Sequence, residues 1–190
     1  MEFDQTLHEQ FGIFYGTKTL VFIKTGRGGS IYGYRNKYVR LADRIFRETG
    51  CSVVVSANPE ESDCILSEEL DYVRELIPAY DKVLFIGVSN GALIGAQQGY
   101  LCPEISDMML INGPLQINWP KTRRGLDSFS GNRARLLYGE KDPSYRFIGL
   151  LDCIKSENVI YIAMRGADHF FRGMEDVMEH EVVAFLKQSI

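Results

Sequence analysis

Six short runs of β-branched and apolar residues recur along this chain, each followed by turn residues, at positions 19–23, 52–55, 83–88, 108–111, 135–138 and 159–163. The runs are near-continuous rather than alternating. A strand that is apolar on both faces must be covered on both, which is the condition of a parallel sheet between two helical layers. Helical spacing fills the intervals. Val39, Ala42, Ile45 and Phe46 share a face and stop at Gly50. Leu66, Leu70, Val73, Ile77 and Tyr80 repeat the pattern, and Pro78 is expected to end that helix early. Ala92, Leu93, Ala96 and Tyr100 follow the third run, and Met174, Val177, Met178, Val182, Phe185 and Leu186 close the chain. Alternation of this kind predicts an α/β fold, a doubly wound, mostly parallel sheet flanked by helices. Residues 11–15 are expected to add an N-terminal edge strand.

At 190 residues the chain suits one domain, 1–190, with a sizeable core. With 45% hydrophobic and 24% charged residues it is not a disordered chain. Lys and Arg number 21 against 25 Asp and Glu, with no long basic run, so a nucleic-acid partner is not expected. The longest apolar run, 83–88, falls far short of the roughly 20 residues of a membrane span. The opening Met1-Glu2-Phe3-Asp4 lacks the basic start of a signal peptide. Cys51, Cys64, Cys102 and Cys153 form no CxxC pair. They read as reduced, mostly buried thiols of a cytoplasmic protein, with a disulfide as the alternative. The oligomeric state is left open.

Gly87-Val88-Ser89-Asn90-Gly91 spells G-x-S-x-G. Chance alone supplies about 0.1 such matches in a chain of this composition, so context decides. The run before it is the most apolar in the chain, and a helix of small residues starts straight after it. A serine pinned in a sharp strand-to-helix turn is presented above the sheet, with glycines where side chains would clash. The competing role is a helix N-cap. A serine nucleophile needs a base. Of His8, His169 and His180, only His169 lies just beyond a predicted strand, where open α/β sheets place their ligands. His180 falls inside the last helix and reads as a surface residue. The base in turn needs a carboxylate to hold its tautomer. Asp142, after the fifth run and before Pro143, is preferred. Glu140 and Asp168 are its rivals, and adjacent residues such as Asp168 and His169 usually point apart.

After the first run comes Thr25-Gly26-Arg27-Gly28-Gly29-Ser30. Glycines there let backbone N–H groups approach a ligand, as an oxyanion hole requires, and a plain tight turn is the alternative. A dinucleotide fingerprint fails at Ile31, and no Gly-Lys-Ser/Thr phosphate loop exists, so both nucleotide-binding readings fail on spelling. Residues 112–132 form the longest irregular stretch, either a lid or a surface connection. Their Lys121, Arg123 and Arg124 would meet an anionic substrate or simply face solvent.

Serine, acid and histidine occur in that order, each after a predicted strand. On Gly26–Ser30, Gly87–Gly91, Gly139–Asp142 and Gly166–His169 the sequence resembles the α/β-hydrolase superfamily, from about Thr19 to the end. It looks most like the small members without a large cap domain. The resemblance implies Ser89, Asp142 and His169 as a catalytic triad, and the backbone N–H groups of Arg27 and Asn90 as oxyanion donors. It implies that no metal or organic cofactor is required. Thr25-Gly26 departs from the His-Gly that often opens this loop in the family, and the N-terminal strands look abbreviated. The expected activity is a serine hydrolase cleaving a small carboxylic ester or thioester through an acyl-enzyme, its partner a small-molecule acyl substrate. The alternative is a non-catalytic ligand- or protein-binding module on the same scaffold.

Overall fold

The computed structural model describes residues 2–61, 63–77 and 80–190. Eight strands form one sheet: β1 (Gln5–Leu7), β2 (Phe11–Phe14), β3 (Thr17–Lys24), β4 (Cys51–Ser56), β5 (Lys82–Val88), β6 (Ile105–Ile111), β7 (Arg133–Gly139) and β8 (Val159–Met164). Five α-helices accompany them: α1 (Lys37–Thr49), α2 (Leu66–Leu76), α3 (Asn90–Gln98), α4 (Trp119–Ser128) and α5 (Glu175–Lys187). The strand order is β1-β2-β4-β3-β5-β6-β7-β8. The block from β4 to β8 is parallel, and β1 and β2 join it antiparallel. The expected doubly wound, mostly parallel sheet is therefore present.

Side chains along a strand alternate between faces, so continuous apolar runs feed two cores at once. Phe22, Val54, Phe85, Leu110 and Leu136 pack with α2, α3 and α4 on one face. Val21, Val53, Ile86, Met109 and Leu137 pack with α1 and α5 on the other. Phe22 and Phe85, both fully buried, stack at 6.0 Å between ring centroids. Burying one such side chain contributes about 1.5–3 kcal/mol, so the central strands carry much of the fold's stability. Helix α1 ends where the sequence said it should, at Gly50 in the left-handed conformation with φ 70°.

Four features differ from expectation. Strand β2 is not the edge, because β1 pairs with it outside. The three-residue β1 carries no apolar run that would have shown it. Strand β8, an apolar run, is the opposite edge and leaves Ile160 and Tyr161 exposed. The stretch 112–132 is not irregular throughout but contains α4, packed on α3. Its Pro120 sits in the first helical turn, where a missing N–H costs nothing. The four cysteines are free, but Cys153 is exposed and Cys64 only half-buried. The expected Pro78 break lies outside the described residues. Among the described residues no helix is long and apolar enough to cross a membrane.

Candidate active site

The chain runs from β3 to its neighbour β4, then crosses back to place β5 on the other side of β3. Ligands of open α/β sheets bind at the carboxyl ends of strands that flank such a switch. Lys24 and Gly87 stand in register, so the loop after β3 and the turn after β5 leave the sheet side by side.

Ser89 occupies that turn with φ 53° and ψ −115°. A non-glycine residue held there stores on the order of 1–3 kcal/mol of strain. The strain is held by flanking bonds: Ser89 N–H donates to the Ile111 carbonyl at 2.8 Å, and the Ser89 carbonyl accepts from Ala92 N–H at 3.0 Å. The Ser89 hydroxyl makes no capping bond to α3, so the N-cap role does not describe it. The flanking glycines answer to contact. A Cβ on Gly91 would stand 2.2 Å from the Lys24 carbonyl oxygen, and one on Gly87 would stand 2.5 Å from the Gly91 carbonyl oxygen. The motif spacing lets β5, its turn and α3 pass directly over the end of β3.

His169 Nδ1 is hydrogen-bonded to Asp142 Oδ2. The Asp142 side chain is fully buried, and its second oxygen accepts from Ser144 N–H at 2.6 Å. With Nδ1 engaged, Nε2 is the nitrogen left for chemistry. The rivals are occupied elsewhere. Asp168 accepts the N–H groups of Arg172 and Phe170, and the Arg172 bond foremost holds its carboxyl below the usual value. Glu140 accepts from Gly166 N–H at the surface. His8 lies in the turn between β1 and β2, and His180 is exposed on α5.

Ser89 and His169 line one cavity of about 310 Å³ together with the 26–30 loop, Tyr38 and Phe170. A Cβ on Gly26 would come within 3.2 Å of the Ser89 Cβ, which measures how closely that loop approaches the serine. The Arg27 N–H finds no acceptor among the described residues. Asn90 opens α3, so its N–H has no intrahelical partner. A second cavity of about 530 Å³ shares Arg27 with the first and is walled by Asn90, Leu93, Ile94 and Lys121. Of the basic residues of 112–132, Arg123 pairs with Asp127 along α4 and Arg124 is exposed.

Several supporting residues escaped the sequence reading. Thr25 braces the loop by donating its hydroxyl to the Gly29 carbonyl at 3.1 Å. Asn58 donates its side-chain amide to the Thr25 carbonyl at 3.1 Å and to Asn90 Oδ1 at 2.9 Å, tying the two turns together. Burial pushes the Tyr38 phenol beneath Gly26 up to about 12, so it stays neutral. Asn112, fully buried at the end of β6, accepts from Gly139 N–H at 2.8 Å and donates to the His169 carbonyl at 3.1 Å. It joins the acid loop to the histidine loop. Lys24 is fully buried at the end of β3, where Nζ meets Glu69 at 2.6 Å, the Ala57 carbonyl at 2.7 Å and Ser56 at 3.1 Å. A lysine ending an apolar run was its one signal. Among the described residues no group of three or more His, Cys, Asp and Glu side chains is arranged to hold a metal ion.

Neither a protein-family model nor a curated protein sequence matches the chain. Solved structures do. Est1E from Butyrivibrio proteoclasticus superposes with a TM-score of 0.74 at 12% identity, covering 94% of this chain and 93% of its own. An alpha-beta serine hydrolase homologue from Coxiella burnetii gives 0.73 at 18% identity, covering 93% of this chain and 90% of its own. A serine hydrolase without lid from Xanthomonas campestris gives 0.70 at 16% identity, covering 95% of this chain and 88% of its own.

Proposed function

We propose that this chain, which has the α/β-hydrolase fold without a large cap domain, is a serine hydrolase that cleaves small carboxylic esters or thioesters through an acyl-enzyme. One observation carries the reading: a serine held in a strained turn shares a cavity with a histidine whose far nitrogen is bonded to a buried aspartate. The descriptions of similar structures as serine hydrolases from Coxiella burnetii and Xanthomonas campestris, and as an esterase from Pyrococcus furiosus, support it.

In this mechanism Ser89 Oγ attacks the carbonyl carbon while His169 Nε2 takes the hydroxyl proton. Asp142 keeps the imidazole in the right tautomer and offsets its charge. The N–H groups of Arg27 and Asn90 receive the developing oxyanion, a contribution worth about 3–4 kcal/mol per donor in such sites. The tetrahedral intermediate collapses, the bond to the leaving alcohol or thiol breaks, and His169 returns the proton to it. Water then repeats the cycle on the acyl-Ser89 ester and releases the acid. No step needs a cofactor.

Intact-mass spectrometry after treatment with a broad fluorophosphonate tests this. Wild type is expected to gain one adduct and Ser89→Ala none, with ester turnover lost in the variant by about 10³-fold or more. An unlabelled, folded wild type that turns over no short ester would overturn the reading in favour of a binding module.

A further inference from the structure

Beside the serine cavity lies a larger one, of about 680 Å³, lined by Arg35, Lys37, Arg40 and Arg172 with the rings of Tyr34 and Phe170. Glu175 is the one acid among its lining residues. The cavity thus gathers a local excess of positive charge in a protein whose formal net charge is −4. Tyr34, Lys37 and Phe170 line both cavities, so the two are adjacent.

The charges here are not balanced as they are elsewhere on the same helix. Farther along α1, Arg44 pairs with Glu48 and Glu179, and Arg47 with Asp43. Arg35, Lys37 and Arg40 pair with no carboxylate among the described residues, while Arg172 pairs with Asp168 at 3.6 Å. Lys37 Nζ instead rests 4.8 Å from the Tyr38 ring centroid and 5.8 Å from that of Phe170. Lys37 and Arg40 also occupy the first turn of α1, which holds no acid, at the end of a helix where positive charge is unfavourable. Tyr34 and Phe170 are left largely in water, 75% and 55% exposed. Arg35, Asn36 and Phe171, all non-glycine, are left-handed around this cavity. Such an arrangement repels itself until an anion enters, and an open cleft of one sign concentrates anions.

We propose that this cavity receives a phosphate or carboxylate carried by the leaving group of the substrate. The assignment to the leaving group rests on the serine-hydrolase reading. His169 must hand its proton to the leaving oxygen, so the leaving group lies on the histidine side of Ser89. Phe170, next in sequence, is the wall shared with the basic cavity. The acyl group then extends the other way, past Arg27 and Asn90 toward Leu93 and Ile94. The substrate is an ester or thioester of a small acid with an anionic alcohol or thiol.

The test uses acetyl esters of three phenols bearing a para carboxylate, phosphate or neutral carboxamide, each rate divided by that ester's hydrolysis by hydroxide. At low salt, kcat/KM for an anionic ester is expected to exceed that of the neutral one by about tenfold or more. The gap should shrink as salt is raised. In Arg35→Gln/Arg40→Gln the ratio should fall to near one. Lys18→Gln/Lys155→Gln, which removes two exposed charges, one near the start of β3 and one in the loop before β8, should keep it. The larger ratio of the two anionic arms tells phosphate from carboxylate. An equal or inverted ratio overturns the proposal. So does a ratio that survives the Arg35/Arg40 change, or one that the control lowers equally. If neither the esters nor the fluorophosphonate react, the hydrolase reading has failed separately. Calorimetric titration with inorganic phosphate and 4-hydroxybenzoate then decides the cavity: binding lost in Arg35→Gln/Arg40→Gln upholds an anion site, and no binding to wild type refutes it.

Discussion

At the scale of single residues, the site depends on side chains that do no chemistry themselves. Asn112 is the clearest. Replacing it with Ala strands the Gly139 N–H and the His169 carbonyl and leaves a residue at φ 48° that alanine tolerates less well. The expected loss is about 2–4 kcal/mol in urea unfolding. As a positioning residue it should lower kcat more than it raises KM, and shift the low-field proton resonance of the His169–Asp142 bond. A variant that unfolds earlier yet keeps kcat and that resonance would make Asn112 purely structural. Lys24 and Glu69 form a second support, beneath the 25–30 loop. Lys24→Met leaves a carboxylate without its cation and should cost about 3–5 kcal/mol. Lys24→Met/Glu69→Leu should recover most of that, because desolvating two charges offsets much of what their attraction contributes. A double-mutant cycle reads the coupling directly.

At the scale of elements, α4 shows how contact reverses a propensity. Glycine inside a helix is ordinarily worse than alanine by about 1 kcal/mol, so Gly125→Ala would be expected to stabilise. Here a Cβ on Gly125 would stand 2.1 Å from the Ala96 carbonyl oxygen of α3. The substitution should instead destabilise by about 1–3 kcal/mol, as overpacking does, with the loss visible as a lower thermal midpoint. The same contact explains why α4 was illegible: Pro120 and Gly125 look like breakers until a first turn and a close helix pair give each a reason. Strand β8 failed in the opposite direction. Its apolar run predicts two covered faces, but it lies at the sheet edge, and edge position is a property of strand order.

At the scale of the whole molecule, Glu48 joins α1 to the end of α5 by bonding both Arg44 and Lys187. The Lys187 ammonium, ahead of Arg44, holds its carboxyl down to about 2 against an ordinary 4.5. A depressed carboxylate pKa means the contribution is present above the unfolded value and is lost as pH falls through the folded one. The difference in Tm between wild type and Glu48→Gln should therefore be constant from about pH 7 to about pH 5. It should narrow below 4.5 and close near 2. The carboxylate is exposed, so the gap should be small and smaller still in about 0.5 M salt. A gap that persists at pH 2 would assign the effect to something other than this charge.

The sequence by itself determined the layered sheet, because near-continuous apolar runs long enough only for strands, alternating with helical patterns, call for a sheet covered on both faces. It also marked Ser89, Asp142 and His169 as candidates, because each follows a strand and each residue type has a role the others need. Strand order was decided in three dimensions, and with it the switch point that sets Gly26 against Ser89 and the edge that exposes Tyr161. The choice of Asp142 as the residue hydrogen-bonded to His169 was settled by where Asp168 and Glu140 spend their oxygens. The basic cavity was invisible in the chain. Arg35, Lys37 and Arg40 make no long run, and Arg172 reaches them only when the loop after β8 folds back over the start of α1. Charges far apart in sequence repel or recruit a ligand according to distance in space, and only the tertiary structure supplies that distance.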